Sequence, residues 1–224
     1  MKTQPLPLKL TTSRQNKKRW SVFILTLSVF VSFAQAAEDV LWSEDFEAGD
    51  LGVMRGTPPE GFKVFTGSPI AGEELEEGST CAELTLSGTP ATIAVKGPIY
   101  VDPTSKSRLS VRIYAEAGCK FMINGYIHGT DNQQVMKEGT TNVEGYGLKT
   151  EDGIEVVEGP SAGWITMSTI FGPVGSGVDS ELPKEAMWVT FIVRIVESGE
   201  GKFYIDDLIL EQIPDEAPKT EAKP

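Results

Sequence analysis

The sequence has few of the residues that carry most enzyme chemistry. It contains one histidine, His128, and two cysteines, Cys81 and Cys119. A Ser–His–Asp or Cys–His arrangement would have to use that one histidine, which has no motif around it, so we interpret it as a surface or turn residue. A catalytic zinc site would need more His or Cys ligands than the chain has. These shortages argue against triad hydrolases and zinc enzymes.

Long apolar runs are also scarce. One run, residues 20–34, is 15 residues long and falls short of the roughly 20 that a membrane span needs. It follows Lys-Lys-Arg at 17–19 and precedes Ala-Gln-Ala at 34–36, the order of a secretory signal and its cleavage site. We therefore predict a signal peptide over 1–36, export to the periplasm, extracellular space or cell surface, and no membrane span in the mature chain. An uncleaved N-terminal anchor is the alternative.

Basic residues are outnumbered by acidic ones. The chain has 20 Lys and Arg against 32 Asp and Glu, a net charge of −12. Segment 1–36 holds six of the basic residues and no acidic one, which leaves 14 against 32 and a net charge of −18 in the other 188 residues. Such a charge repels phosphate backbones and anionic membrane surfaces, so nucleic acid is a poor partner. The length fits one domain.

Apolar residues recur at every second position in many short segments of the chain. We find no segment of ten residues with the 3.6-residue period of a helix. The clearest alternation spans 108–115, and Gly125 is interpreted as a bulge. Residues 55–80 and 172–184 are predicted to be mostly loop, and 188–196 a central strand buried on both faces. Short strands separated by turn residues predict an all-β, two-sheet antiparallel sandwich over 37–213, with a disordered tail over 214–224. The other predicted strands are 40–47, 81–87, 91–95, 120–127, 145–149, 154–157, 163–171 and 202–212.

The two ends of this sandwich resemble a known group of modules. Residues 45–49 (DFEAG) resemble the opening of carbohydrate-binding modules with a galactose-binding-like jelly-roll fold, and 199–210 (GEGKFYIDDLIL) resemble their last strand. Residues 163–171 are similar to the segment that precedes the last strand in these modules. The families are those around carbohydrate-binding families 4, 9 and 22, with a laminin-G-like jelly roll as the close alternative. The resemblance implies a jelly-roll sandwich, and the middle, 50–160, carries none of it.

The resemblance also implies a structural calcium ion. In such sandwiches the first and last strands are neighbours, which would bring Asp45 and Glu47 close to Asp206 and Asp207. Adjacent carboxylates repel one another, and calcium takes about six to eight oxygen ligands. We predict Ca²⁺ held by these four residues, with Glu47 and Asp207 as its main ligands. Ordinary surface acids at the end of a strand are the alternative.

Export would permit a disulfide between Cys81 and Cys119. The bond would close a loop of about 38 residues and contribute about 3–4 kcal/mol in the loop-entropy model. Against it, Cys81 alternates with the apolar Ala82 and Leu84 and would face away from the core. The pair is therefore a candidate disulfide, with two free thiols as the open alternative.

Carbohydrate modules bind sugars with exposed aromatic rings and with polar side chains that reach the hydroxyls. Trp42, Trp164 and Trp188 are predicted to pack in the core, which leaves no tryptophan for stacking. Ordinary roles in strands and polar loops are the alternative for the other candidates. Candidate ligand contacts lie at strand ends, in loops, or on the side of a strand away from the presumed core: Arg112, Tyr114, Asn124, Tyr126, Asn132, Gln134 and Tyr146.

These features predict a secreted, non-catalytic carbohydrate-binding-like module with a structural calcium ion and a glycan as its partner. A glycosidase needs two carboxylates across a cleft, but among 32 acids such pairs carry no information, and the jelly-roll hydrolase pattern Glu-x-Asp-x-x-Glu is missing. The first alternative is a structural or adhesion protein of the cell envelope that uses the jelly roll as a scaffold. A glycoside hydrolase or polysaccharide lyase ranks below it.

Overall fold

The computed structural model describes residues 40–71, 73, 79–95, 97–116 and 118–214. The predicted signal segment and all but the first residue of the predicted tail lie outside the described residues. A three-residue 3-10 helix, Pro59–Gly61, joins the second and third strands. The strands are β1 (Val40–Glu44), β2 (Met54–Thr57), β3 (Phe62–Thr66), β4 (Thr80–Ser87), β5 (Ala91–Val95), β6 (Ile99–Tyr100), β7 (Ser107–Ala115), β8 (Cys119–His128), β9 (Gly145–Gly147), β10 (Lys149–Thr150), β11 (Val156–Glu158), β12 (Ile165–Pro173), β13 (Ser180–Leu182), β14 (Trp188–Val189), β15 (Ile192–Ser198) and β16 (Glu200–Gln212).

The first sheet is built around the long strand β16. Its order is β10-β12-β7-β16-β4-β3, with β1 beside β16 and β13 beside β12. β16 pairs with β7 on one side and with β4 and then β1 on the other. The pairing of β12 with β13 is parallel, and the other pairings are antiparallel. The first and last described strands are therefore neighbours, as predicted.

The second sheet is built around β8 and has the order β2-β5-β15-β8-β14-β6. The short strands β9 and β11 also pair with β8. The two sheets of eight strands pack face to face as a sandwich, which confirms the predicted all-β, two-sheet fold.

The core lies between the sheets because successive side chains of a strand point to opposite sides. In β7, Leu109, Val111 and Ile113 are fully buried, whereas the residues between them are exposed or half-buried. Phe203 of β16 meets Phe121 of β8 edge to face, with ring centroids 5.0 Å apart. This contact joins the centres of the two sheets. Trp42 packs against the core, as predicted.

Several local predictions were wrong. The segments interpreted as loop contain β2, β3 and β13. Strand β15 is central, but its alternate residues Ile192 and Arg194 are half-buried on the outward side, so only one side lies in the core. Gly125 is not a bulge: it pairs with Tyr146 in regular register. A Cβ atom there would lie 1.8 Å from the Thr190 carbonyl oxygen, so close backbone approach requires glycine.

The two cysteines are buried and free, so the candidate disulfide is not formed. Cys81 lies in β4 of the first sheet with its side chain on the outward side, opposite Ala82 and Leu84. Cys119 begins β8 of the second sheet. Burial, with the nearby charges of Asp206 and Glu83 as smaller causes, raises the pKa of Cys81 to about 12. A raised pKa disfavours the thiolate, which is the nucleophilic form of cysteine.

Among the described residues, no helix has the length and apolar content that crossing a membrane requires.

Candidate functional site

The predicted ligand residues are divided between two outward faces of the sandwich. Arg112 and Tyr114 lie in β7 on the first sheet, whereas Asn124 and Tyr126 lie in β8 on the second. The other three candidates follow β8 in the chain: Asn132 and Gln134 lie in an exposed loop, and Tyr146 lies in β9. One ligand therefore cannot touch all seven residues at once.

Tyr146 is a core residue, and the prediction that it contacts a ligand was wrong. Its side chain is 6% exposed and packs edge-on against Phe171, with ring centroids 4.9 Å apart. Its hydroxyl donates a hydrogen bond to the Thr190 carbonyl oxygen. Burial raises the pKa of this hydroxyl above its ordinary value.

The outward side of the second sheet carries a group of aromatic and polar side chains that we name the Trp188 face. It consists of Tyr100, Asn124, Tyr126, His128, Trp188 and Arg194. Trp188 in β14 pairs with His128 of β8 on one side and with Tyr100 of β6 on the other. The indole and imidazole rings stack with centroids 3.7 Å apart and planes 3° apart, and Tyr100 is 66% exposed. Trp188 is half-buried on an outward face, so its predicted place in the core was wrong.

His128 supports this face rather than lying free at the surface, contrary to the prediction. It is buried, and Oγ1 of Thr190 lies 3.5 Å from its Nε2. Burial lowers the pKa of His128 below its ordinary value of 6.5, so the ring is neutral at pH 7. A neutral ring stacked on the indole fixes the plane of Trp188.

Arg194 and Tyr126 form the polar part of the Trp188 face. The Arg194 Nη2 donates a hydrogen bond of 3.0 Å to the Tyr126 hydroxyl. Asn124 lies two residues before Tyr126 on the same side of β8 and pairs with Ile192 of β15. Its Oδ1 is buried without a hydrogen-bond partner among the described residues. Aromatic planes beside a guanidinium, a phenol and an amide provide both the apolar and the polar contacts that a sugar requires.

The outward side of the first sheet is packed with its own side chains. A row of four rings crosses it, with centroid separations of 6.0 Å from Trp164 to Tyr114, 5.9 Å to Tyr204 and 5.4 Å to Phe65. The Arg112 guanidinium lies 4.8 Å from the centroid of the Trp164 ring. Trp164 is thus half-buried on an outward face, and its predicted core position was wrong. Because Tyr204 is only 2% exposed, this row offers little free ring surface.

A buried carboxylate, which we did not predict, lies beside this row. Glu83 in β4 has a fully buried side chain, and its oxygens lie 3.3 Å from Lys63 Nζ and 3.0 Å from Lys202 Nζ. The two contacts are ion pairs rather than well-directed hydrogen bonds. Burial and the charge of Glu83 raise the pKa of Tyr204. The alternation of β4 places Glu83 outward with Cys81, but it does not reveal the lysines that cover it.

Of the four predicted calcium ligands, Asp45 and Glu47 are exposed just after β1, and Asp206 and Asp207 are half-buried neighbours in β16. Asp207 Oδ2 pairs with Arg112 Nη1 at 2.7 Å, and Glu47 Oε1 accepts a hydrogen bond of 2.9 Å from the Thr80 amide. Burial, with the charge of Asp207 as the next cause, raises the pKa of Asp206 to about 7. Within the described part of the chain, no group of three or more His, Cys, Asp or Glu side chains is arranged to hold a metal. The guanidinium supplies the positive charge here.

A cavity of about 350 Å³ lies at one end of the sandwich, lined by Lys120, Glu158, Glu197 and neighbouring glycines. Its lining includes no aromatic ring and none of the predicted ligand residues. The Trp188 face therefore has the better chemistry for a sugar, although it is a surface rather than a cavity.

No protein-family model and no curated protein sequence matches the chain. Many solved structures resemble it, and those that follow share little sequence identity with it. The family 22 carbohydrate-binding and family 10 hydrolase modules of a Clostridium thermocellum endo-1,4-β-D-xylanase, complexed with xylohexaose, match with a TM-score of 0.51 and 10% identity over 80% of this chain and 29% of that one. The enzymatically active domain of tailspike protein 4 of bacteriophage CBA120 matches with a TM-score of 0.49 and 12% identity over 75% of this chain and 20% of that one.

The family 22 xylan-binding domain of Paenibacillus barcinonensis matches with a TM-score of 0.47 and 9% identity, over 79% of this chain and 96% of that one. The chain spans less than a third of the length of the first two structures. Likeness at this level of identity concerns the fold. The likeness to the xylanase structure agrees with the jelly-roll sandwich that the resemblance of the two ends implied.

Proposed function

We propose that the chain is an exported, non-catalytic carbohydrate-binding module that holds a glycan on the Trp188 face. The observation that carries the proposal is the placement of Trp188 and the exposed Tyr100 beside the Arg194–Tyr126 pair on one outward sheet face. The carbohydrate-binding fold supports it, and the basic and apolar N-terminal segment supports export.

Sugar recognition needs two kinds of contact that this face provides. The C–H faces of a pyranose ring are apolar and pack on aromatic planes, whereas the hydroxyl rim needs hydrogen-bond partners. Since His128 stacks on the Trp188 indole, the ring is held in place before any ligand arrives, which lowers the entropy cost of binding. Arg194, Tyr126 and Asn124 supply donors and acceptors beside the rings.

Replacing Tyr100 or Trp188 with alanine is expected to weaken glycan binding. Loss of a ring at the centre of a small binding surface costs about 2 kcal/mol, or roughly 30-fold in affinity. The measurement is affinity electrophoresis of the full chain against a panel of soluble polysaccharides, with dissociation constants taken from the retardation. Because Tyr100 is 66% exposed, its replacement should leave the thermal unfolding temperature unchanged.

Trp164→Ala is the matched control, since this tryptophan is also half-buried but lies on the opposite sheet. Equal weakening by Trp164→Ala and Tyr100→Ala would place the ligand elsewhere. A folded protein that no polysaccharide retards would contradict the proposed function and favour the cell-envelope scaffold.

A structural calcium ion remains a prediction of the sequence, and the fold makes it testable. For the ion to bind, Asp207 has to exchange the Arg112 guanidinium for it. With calcium bound, the unfolding temperature should rise in calcium relative to a chelator, because a ligand that binds only the folded state stabilises it. Asp206→Asn should remove that rise. Equal unfolding temperatures in calcium and chelator would contradict the prediction.

A further inference from the structure

Arg194 is a half-buried arginine in β15 of the second sheet. The two arginines of β7 on the first sheet have carboxylate partners: the exposed Arg108 pairs with Glu211 at 3.1 Å and the half-buried Arg112 with Asp207 at 2.7 Å. Among the described residues, no carboxylate lies within ion-pair distance of Arg194. Arg55, in β2 of the same sheet, has no ion pair either, but it is exposed and donates to the backbone carbonyls of Gly52 and Met54, whereas Arg194 is half-buried.

The surroundings of Arg194 are uncharged and hold the side chain in place. Its cross-strand neighbours are Thr92 in β5 and Met122 in β8. Its Nη2 donates to the Tyr126 hydroxyl at 3.0 Å. A guanidinium has about five N–H donors in a rigid plane, and this bond uses one of them. The others remain for a planar acceptor, and a carboxylate fits a guanidinium with two parallel hydrogen bonds.

We propose that the Trp188 face recognises a glycan that carries uronic acid carboxylates, and that Arg194 binds the carboxylate. The inference rests on the proposed function, because the neighbouring rings make the bearer of the carboxylate a sugar. The net charge of −12 adds a further condition, since it repels polymers with an acid on every residue. A polymer with a neutral backbone and isolated uronic acid branches can pair one carboxylate with Arg194 and is repelled little by the net charge of the protein.

The test compares a glucuronoxylan with the same polymer after chemical reduction of its carboxyl groups to alcohols. The two polymers share a backbone and differ in charge. The full chain should bind the native polymer at least about tenfold more tightly than the reduced one, which is the usual effect of a hydrogen-bonded charge. Polygalacturonate, with a carboxylate on every residue, should bind more weakly than glucuronoxylan.

Arg194→Gln should remove the preference for the native polymer, so that the variant binds the native and the reduced polymer with equal affinity. Arg194→Lys should retain part of the preference, because an ammonium attracts a carboxylate but cannot make the two parallel bonds. Arg108→Gln is the matched control, since it removes the same charge from the other sheet and should leave the preference intact. Unfolding temperatures establish that each variant is folded.

The outcomes separate the two proposals. Equal binding of native and reduced polymers overturns the uronic acid inference and leaves the proposed function standing. Tighter binding of polygalacturonate overturns the preference for sparse carboxylates. Failure of the folded chain to bind any polysaccharide in the panel overturns both.

Discussion

Phe203→Ala is expected to lower the free energy of unfolding by about 3–5 kcal/mol, the usual cost of truncating a buried phenylalanine. The side chain is fully buried in β16 and meets Phe121 of the opposite sheet edge to face. Its removal takes away apolar contacts on both sides and leaves a cavity at the centre of the sandwich. The cost is therefore shared by both sheets. Chemical denaturation followed by tryptophan fluorescence measures it.

Phe65→Ala provides the comparison, because it deletes the same atoms from the outward face of the first sheet. Phe65 is half-buried and contacts Tyr204 at 5.4 Å between ring centroids. Its replacement should cost less than half as much as that of Phe203. Similar losses in the two variants would show that the row of rings on the first sheet stabilises the fold as strongly as the core does.

Replacing both Lys63 and Lys202 with methionine is expected to destabilise the protein by about 3–5 kcal/mol, the cost of leaving a buried charge without a partner. Either lysine alone still pairs with Glu83, so each single variant should cost much less than half of this. The loss is therefore non-additive. A double-mutant cycle in chemical denaturation measures the coupling.

Adding Glu83→Gln to the double variant should restore most of the lost stability. The amide has nearly the same shape but no charge to compensate in the buried position. A triple variant as unstable as the double would show that the lysine stems, packed over the first sheet, matter more than their charges. Lys202 Nζ lies 5.7 Å from the centroid of the Phe65 ring, which is a contact that such an effect could come from.

Strand alternation predicted which residues form the core with good success. In β7 the apolar positions of the sequence are the buried positions of the fold, whereas in β15 Val193 and Ile195 are buried but Ile192 and Val196 face outward. Composition was less reliable: the Gly, Pro and Glu content of 55–80 concealed β2 and β3, which are short edge or near-edge strands. There, pairing with β5 and β4 determines the structure more than local propensity does.

The two tryptophans show why the candidate site was harder to predict. Trp164 has the same parity as Thr166 and Ser168, and Trp188 the same parity as Thr190 and Arg194, and these sides of the strands face outward. The core assignment followed instead from the resemblance to the jelly-roll modules, whose tryptophans pack in the core. Alternation also cannot say to which sheet a strand belongs, which is why residues of β7 and β8 were combined into one site although they lie on opposite faces.

The polar pairs that organise the site depend on the tertiary fold. Arg194 and Tyr126 are 68 residues apart in sequence, and Arg112 and Asp207 are 95 apart. No local pattern links such residues. The two ends of the sequence predicted the pairing of β1 with β16, but the guanidinium that pairs with Asp207 comes from a third strand, β7.

The central place of β16 has a consequence for how the protein is made. During synthesis, β1, β3, β4, β7 and β12 emerge first, yet β1, β4 and β7 depend on β16 for hydrogen-bond partners. The first sheet is incomplete until the residues up to Gln212 have been synthesised. Such late, long-range pairing slows folding. Until β16 is made, the β3–β4 and β7–β12 pairs have no strand that joins them into one sheet.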